Sequence, residues 1–449
     1  MFGIRKYSYV ILWGALILVV ATVWIFGKTD TKDYIKDKTV QSHELVSGEA
    51  ENQAPSKSSP FLPEDGSVPY AAQDVEDFQS GEAEQETELP KGQETEAREA
   101  VAVWVPYMSL TTEEKTEQAF KENYEHIVDS SKAMGINTLY IHVRPFGDSL
   151  YPSEYFPWSH LLTGEQGGDP GYDPLAYMIE YAHSKDMEFH AWLNPMRVKS
   201  AETPSELAGN NPYKTLSGEY PFYFMEYEGG VYLNPAYQYV RTLIADSAAE
   251  IVRNYQVDGI HFDDYFYPAE DAELDFAAYE SYAGTVGEAL SLQEWRCVNI
   301  NTMVSQVYSA VKQENEAVQF GISPAGNLDN NLKIGADVKE WCRTAGYIDY
   351  ICPQLYYSYE NEALGFSDAL ESWMSLDRHD ELEMYIGLAV YKAGSDADNG
   401  TWLLENDNIK RQIEDSRLAG GDGIALYSYD YLFADETVQE VENAAVLLR

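Results

Sequence analysis

The chain has 449 residues, of which 75 are acidic and 30 are basic, so its formal net charge is −45 and its isoelectric point lies near 4.3. A surface this negative repels phosphate groups, which argues against nucleic acid or an anionic lipid surface as a partner. Three cysteines, Cys297, Cys342 and Cys352, cannot all pair and match no metal-ligand spacing, so they are predicted to be small buried side chains.

The N-terminal segment predicts a membrane anchor over residues 1–30. An uncharged apolar run from Tyr9 to Phe26 follows Arg5 and Lys6, and its length is just sufficient to cross a bilayer. A cleaved signal peptide is the alternative, but residues 23–26 offer none of the small side chains that cleavage favours. In both cases the basic pair stays in the cytoplasm, which predicts that the C-terminal part is exported.

Residues 31–98 predict a disordered acidic linker. They are rich in Glu, Ser, Gln, Lys, Gly and Asp and poor in aliphatic and aromatic residues, so they cannot bury enough apolar surface to offset the entropy of ordering. Residues 99–449 are dense in Tyr, Trp, Phe and Ile. Their length suits one (β/α)8 catalytic domain with enlarged loops.

Eight short strand-like runs recur in this domain and alternate with helical patterns. Apolar residues at helical spacing predict helices over Glu113–Met134 and Tyr239–Tyr255. Eight strands that alternate with helices are the number that closes a (β/α)8 TIM barrel, which is an α/β fold. The predicted strands are Val101–Tyr107, Thr138–Val143, Glu188–Leu193, Gly259–Asp263, Gln319–Ser323, Tyr347–Ile351, Met384–Val390 and Gly423–Ser428.

Alternation along each strand predicts which side chains point into the barrel. On the fourth strand Ile260 and Phe262 suit the helix-facing side, so His261 and Asp263 are predicted to point inward and Asp264 outward. The same alternation predicts further inward polar and aromatic residues, namely Trp104, His142, Arg144, His190, Trp192, Asn194, Gln354, Tyr356, Tyr427 and Tyr429.

These residue types favour sugar binding. The C–H faces of sugar rings stack on aromatic rings, while their hydroxyl groups need directional hydrogen bonds. The longest loops, residues 195–234 and 265–296, follow the third and fourth strands. Loops in this position could wall a groove for an extended polymer.

Four segments resemble the glycosyl-hydrolase-like 10 family over Val101–Arg449. They are GINTLYIHVRPFGDSLY from Gly135, HAWLNPMRV from His190, DGIHFDDYFYP from Asp258 and DYICPQLY from Asp349. The family comprises bacterial envelope proteins with a (β/α)8 barrel, similar to enzymes that cleave peptidoglycan glycan strands lacking stem peptides. The resemblance implies a glycosidase active on cell-wall or related amino-sugar glycan, with Asp263 and Asp264 in the acidic motif and polar strand-end positions at Arg144, Asn194, Arg197 and Gln354.

Glycosidic cleavage usually needs one carboxyl group as acid and a second as base or nucleophile. We predict Asp263 as the principal catalytic carboxylate, with Asp264 reaching the mouth or orienting a neighbour. The second carboxyl group remains open among Asp148, Asp329 and Asp430, or a substrate acetamido group replaces it. The predicted substrate-binding residues are Trp104, His142, Arg144, Asp148, Trp192, Asn194, Arg197, His261, Gln354, Tyr356, Tyr427 and Tyr429.

Two other functions remain open. His142, His190 and His261 lie on three successive predicted strands near Asp263, and such a group could hold zinc. Because the usual H-x-H, H-x-x-x-H and H-E-x-x-H signatures are absent, we predict no metal or cofactor. The second alternative is a non-catalytic glycan-binding barrel at the cell wall. The predicted partners are a polysaccharide and the membrane, which the chain crosses once with its barrel outside, and not nucleic acid.

Overall fold

The computed structural model describes residues 98–449. The predicted anchor, and all but the last residue of the predicted linker, lie outside the described residues. Across residues 98–449, none of the helices has the length and apolar character that crossing a bilayer requires. All three cysteines lie within this part and are free and buried, as predicted.

The eight predicted strands form a closed parallel barrel, which confirms the predicted TIM-barrel architecture. Their order around the ring is β1-β11-β10-β9-β8-β7-β3-β2, and β2 closes the ring by pairing with β1. The barrel strands are β1 (Ala100–Val105), β2 (Thr138–Arg144), β3 (Glu188–Leu193), β7 (Gly259–Phe262), β8 (Gln319–Ile322), β9 (Tyr350–Ile351), β10 (Glu383–Ala389) and β11 (Gly423–Tyr427).

The long loop after β3 carries a small antiparallel sheet. It consists of β4 (Arg197–Lys199), β5 (Phe224–Tyr227) and β6 (Gly230–Leu233), in the order β4-β6-β5. This loop was predicted to extend the wall of a groove, and the sheet gives it an internal framework.

Helices alternate with the barrel strands, and their ends follow ordinary capping rules. The helix Glu117–Met134 begins after Thr116, whose side chain accepts a hydrogen bond from the N–H of Ala119, and it ends at Gly135, where φ is 101°. The α-helices are Tyr107–Leu110, Glu117–Met134, His160–Thr163, Pro174–Ser184, Pro212–Leu216, Gln238–Asn254, Phe276–Ala283, Leu292–Glu314, Leu328–Lys333, Val338–Arg343, Phe366–Met374, Asn408–Leu418 and Val438–Ala444. Single helical turns are Pro221–Tyr223, Ala272–Leu274, Val390–Lys392, Ala397–Gly400, Thr401–Leu403 and Tyr429–Leu432.

The barrel strands separate two layers of buried side chains. On β2, Leu139, Ile141 and Val143 belong to the large apolar core between barrel and helices. The barrel interior is instead filled largely by rings, among them Trp104, Tyr140, Trp192, Tyr350 and Tyr385. Strand alternation therefore holds along the strands, except at the end of β2 where the pairing shifts, and it gives the barrel wall two different faces.

Two glycines make room for these interior rings. A Cβ atom on Gly259 would lie 2.3 Å from Nδ1 of His190, and one on Gly321 would lie 2.1 Å from the ring of Tyr350. Both separations are far below van der Waals contact, so the absent side chains are a packing requirement.

Candidate active site

Asp263 follows β7 directly, and its carboxylate is held by three donors. Oδ2 accepts hydrogen bonds from the indole N–H of Trp192 at 3.0 Å and from the side-chain amide of Asn194. Oδ1 accepts a longer bond, 3.3 Å, from the backbone N–H of Tyr265. With only 3% of its surface exposed, the carboxylate has one fixed orientation, inward as alternation predicted.

Burial is the main reason that the pKa of Asp263 is raised to about 7, and the neighbouring charge of Asp264 adds to it. The positive charge of Arg197 and the hydrogen bonds from Trp192 and Tyr265 act in the opposite direction. Because burial dominates, this carboxyl group exchanges its proton near neutral pH, the range that acid or base catalysis needs.

Asp264 also lies at the mouth of the barrel, which is one of the two roles predicted for it, although alternation alone had assigned it an outward orientation. Its Oδ1 accepts a hydrogen bond from Nε2 of Gln354 at 3.2 Å, and the same Nε2 donates to the carbonyl of Ser323. Burial raises the pKa of Asp264. Strand β7 ends at Phe262, so the alternation of a paired strand no longer governs a residue two positions later.

Arg197 links the loop after β3 to the carboxylate. Its guanidinium lies over the ring of Phe146 at 4.9 Å and over that of Tyr265 at 5.0 Å. Nε donates to the carbonyl of Pro145 at 3.0 Å, and Nη2 donates to Oδ1 of Asn194. A guanidinium has five N–H donors and these contacts use two, which leaves donor capacity for a bound ligand.

Trp192, Asn194 and His142 form a support behind Asp263. The rings of His142 and Trp192 stack with centroids 3.7 Å apart and planes 9° from parallel. Nε2 of His142 contacts Oδ1 of Asn194 at 3.0 Å, and burial lowers the pKa of His142 well below its usual value. A neutral His142 therefore donates from Nε2 and orients Asn194. Its contact with substrate stays a prediction.

Deeper in the barrel, four side chains form a directed hydrogen-bond chain. The indole N–H of Trp104 donates to Nε2 of His261 at 3.0 Å. Nδ1 of His261 contacts the Tyr350 hydroxyl at 2.9 Å, and that hydroxyl contacts Nδ1 of His190 at 3.0 Å. Since the indole can only donate, Nε2 of His261 accepts and a neutral His261 carries its proton on Nδ1. Nδ1–H then donates a hydrogen bond to the Tyr350 hydroxyl, which in turn donates to Nδ1 of His190.

This chain places Trp104 and His261 below the mouth, because they are 2% and 0% exposed. The predicted direct substrate contacts of these two residues are therefore not provided by this arrangement. The ring nitrogens of His142, His190 and His261 also contact different partners instead of facing one point. Among residues 98–449 no group of three or more His, Cys, Asp or Glu side chains is arranged to hold a metal ion.

Arg144 does not point into the barrel, which corrects its prediction as a substrate-binding residue. The pairing of β2 with β3 shifts between His142 and Arg144, so Arg144 lies beside Leu193, a helix-facing residue. Its Nη1 donates to Ser247 on the helix Gln238–Asn254, and its guanidinium covers the ring of Phe156 at 4.6 Å. A β-bulge reverses the alternation at this point.

Tyr429 and Asp148 are likewise tied to other parts of the fold. The Tyr429 hydroxyl lies 3.1 Å from Oγ of Ser130 on the helix Glu117–Met134, because the chain leaves β11 at Tyr427 and turns outward. Asp148 is fully buried and accepts hydrogen bonds from His160 and Gln166, both at 3.0 Å. The contact of Tyr429 with an outer helix contradicts its predicted position at the substrate site, whereas the predicted role of Asp148 stays a prediction.

The other two candidates for a second carboxyl group are exposed. Asp329 lies in the first turn of the helix Leu328–Lys333. Asp430 accepts a hydrogen bond from Oγ of Ser109 at 2.7 Å. In the part of the chain that the structure describes, Asp264 is therefore the carboxyl group whose charge acts most directly on Asp263.

Aromatic side chains occupy the rim of the barrel mouth. Tyr356 and Tyr427, both predicted, have ring centroids 5.7 Å apart, and Tyr391 lies 5.9 Å and 5.8 Å from them. Three rim residues were not predicted from sequence, namely Tyr265, Tyr391 and Tyr431. Tyr265 stands beside the acidic pair and Tyr431 just beyond the last strand, so their positions next to strand ends were the available signal.

Comparison with known proteins adds to this geometry. A family model described as glycosyl hydrolase-like 10 matches residues 100–403. Glycosyl hydrolase YngK of Bacillus subtilis (strain 168) is 35% identical over an alignment of 326 residues, which covers 67% of this chain and 62% of that protein. Glycosyl hydrolase DigH of Escherichia coli (strain K12) is 30% identical over an alignment of 368 residues, which covers 75% of this chain and 82% of that protein. The names of both relatives support the predicted enzyme class, glycoside hydrolase.

Solved structures resemble the fold. The catalytic domain of beta-amylase from Paenibacillus polymyxa matches with a TM-score of 0.53 at 10% sequence identity, over 78% of this chain and 98% of that one. At this identity the likeness shows a shared barrel architecture and nothing about the substrate.

Proposed function

The chain belongs to the glycosyl hydrolase-like 10 family, and on that basis we propose that it is a membrane-anchored enzyme that cleaves glycosidic bonds in cell-wall glycan of the peptidoglycan type. Asp263 is its principal catalytic carboxylate. The observation that carries this proposal is the Asp263 carboxyl group itself, which is buried at the barrel mouth, oriented by Trp192 and Asn194, and has a pKa raised to about 7.

Asp263 supplies the proton for the leaving group. Its Oδ2 already accepts two hydrogen bonds, whereas Oδ1 accepts only the longer one from Tyr265, so Oδ1 is the oxygen that can hold the proton. Donation of this proton to the glycosidic oxygen breaks the bond to the leaving sugar.

Asp264 is the second carboxyl group of the pair. Two neighbouring carboxyl groups do not ionise independently, because each charge opposes the other. With Asp263 protonated, Asp264 is the ionised member and stabilises the positive charge that develops on the sugar ring. Gln354 fixes its orientation by the hydrogen bond to Oδ1.

The attacking nucleophile has two possible sources. Asp264 or a water molecule that it activates is one, and an acetamido group on the substrate sugar is the other. The adjacency of Asp263 and Asp264 favours the second source, since an internal nucleophile needs only an acid and an orienting carboxylate. Cleavage of N-acetylated but not of de-N-acetylated glycan would support it.

The cell wall is the proposed location of the substrate. The anchor predicted over residues 1–30 and the acidic linker predicted over residues 31–98 support this location, because a barrel tethered to the membrane acts on nearby wall glycan rather than on distant polymers.

Incubation with defined glycans tests the proposal. The full-length chain and its Asp263→Asn variant are incubated with peptide-free peptidoglycan strands, chitin-type oligomers, and plant or capsular polysaccharides, and products are identified by mass spectrometry. We expect new reducing ends from the peptide-free strands with the wild-type chain alone. Binding without any product from the whole panel would overturn catalysis and favour the non-catalytic glycan-binding barrel.

A further inference from the structure

Two exposed tyrosines stand on opposite sides of the barrel mouth. Tyr265 follows β7 and is 49% exposed, and Tyr431 follows β11 and is 39% exposed. Around the closed ring, three strands separate β7 from β11 in either direction. The two strands are therefore diametrically opposed.

A continuous run of rings connects the site to Tyr431. The centroid of Tyr391 lies 5.8 Å from that of Tyr427 and 6.0 Å from that of Tyr431. Burial is the main cause of the raised pKa of Tyr427, and smaller electrostatic contributions come from Tyr265, Asp263, Tyr391 and Tyr431, so Tyr427 lies near both rims and the acidic residue.

Tyr265 is held at the other end of this line. Arg197 covers one face of its ring at 5.0 Å, yet about half of the side chain stays exposed. An aromatic ring fixed from behind and open in front presents a flat surface on which the C–H face of a sugar can stack.

We propose that the glycan lies across the mouth from Tyr265 to Tyr431, with one sugar stacked on each ring and the cleaved bond between them at Asp263. This inference rests on the proposed function and adds to it two binding residues and the direction of the polymer. Asp263 and Tyr265 lie at the same strand end, so the part of the glycan between the cleaved bond and Tyr265 is the shorter one. The longer part, on the other side of the cleaved bond, crosses Tyr427 and Tyr391 before it reaches Tyr431.

Polar surroundings favour a sugar polymer over an apolar protein partner at these rings. The rim between them carries Asp263, Asp264, Arg197 and Gln354. Such groups would be left without partners under an apolar surface, which is costly, whereas sugar hydroxyl groups satisfy them.

Binding measurements on the full-length Asp263→Asn variant test this inference. Tyr265→Ala, Tyr431→Ala and Tyr431→Phe are each added to that variant, and affinities for a disaccharide and for a long peptide-free glycan oligomer are measured by calorimetry. Phe433→Ala is the matched control, because Phe433 is 51% exposed two residues from Tyr431 but packs against Tyr429.

For the long oligomer we expect roughly 3–10-fold weaker binding with either Tyr→Ala change, near-normal binding with Tyr431→Phe, and no change with Phe433→Ala. The disaccharide should lose affinity only with Tyr265→Ala, because it cannot reach Tyr431. Equal affinities for all variants would overturn this inference and leave the proposed function intact. Absence of binding to every glycan by Asp263→Asn would overturn the proposed function and this inference together.

Discussion

The indole N–H of Trp192, on β3, donates across 3.0 Å to Oδ2 of Asp263, which directly follows the neighbouring strand β7. This bond fixes the carboxylate and opposes the rise of its pKa. It therefore links the architecture of the barrel to the protonation of the proposed catalytic group, and it can be altered without changing the carboxylate itself.

Activity should decline above pH 7, because Asp263, whose pKa is raised to about 7, loses the proton that it must donate. Trp192→Phe removes a hydrogen bond to the ionised form, so the pKa of Asp263 should rise further and the alkaline limb of the pH–rate profile should move to higher pH. Rates of reducing-end release between pH 5 and 9 measure this shift. An alkaline limb that stays at the same pH or moves to lower pH would contradict the assignment of Asp263 as the acid.

Asp263→Asn should reduce glycan cleavage by roughly 10²–10⁴-fold, the usual contribution of a positioned acid, while the fold is retained. Asp264→Asn should also impair cleavage, since it removes the ionised member of the pair. Asp329→Asn and Asp430→Asn are matched controls and should keep wild-type rates, because Asp329 is exposed and Asp430 contacts Ser109. Loss of activity in a control would show that the second carboxyl group has been misassigned.

Asp263→Asn should also stabilise the fold at pH 8. The pKa of Asp263 is higher in the folded chain than in the unfolded chain, so the folded state binds more protons between about pH 4 and pH 7 and loses stability as pH rises through that window. Removing the ionisable group removes this loss of stability, and each kcal/mol gained raises the Tm of a domain of this size by about 1–2 °C. Thermal unfolding at pH 5 and pH 8 should show a larger difference at pH 8, and a variant less stable than wild type at pH 8 would contradict this.

Two arginines should behave in opposite ways. Arg144→Lys should destabilise the fold by about 1–3 kcal/mol, since a buried guanidinium loses its contacts with Ser247 and Phe156. Arg197→Lys should leave the Tm nearly unchanged but weaken glycan binding, since it disturbs the contacts with Asn194 and Tyr265. Thermal unfolding and binding titrations on both variants check this, and the reverse pattern would restore Arg144 as a site residue.

Gly321→Ala should destabilise the barrel by about 1–3 kcal/mol, because the added Cβ would overlap the ring of Tyr350. Gly287→Ala is the matched control, since no atom lies within 4 Å of a Cβ at that position. Urea unfolding of both variants measures the difference. Equal urea midpoints for the two variants would contradict this prediction and would mean that the Tyr350 ring moves aside for the added Cβ.

The distribution of correct and incorrect predictions follows from strand pairing. Within paired strands, alternation predicted the inward positions of Trp104, Trp192 and His261 and, one residue past β7, of Asp263. Both neighbours of a paired strand constrain its backbone, so the period of two is reliable there.

The sequence by itself determined the eight strands, the barrel and the family, because apolar periodicity and segment order are local properties of the chain. The tertiary structure alone decided the orientations of Arg144, Asp264 and Tyr429, since a bulge or the end of a strand releases each of them from alternation. It also decided that Tyr265 and Tyr431, 166 positions apart in sequence, follow strands on opposite sides of one ring. That relationship arises only from closure of the ring, a non-local property that no pattern along the chain contains.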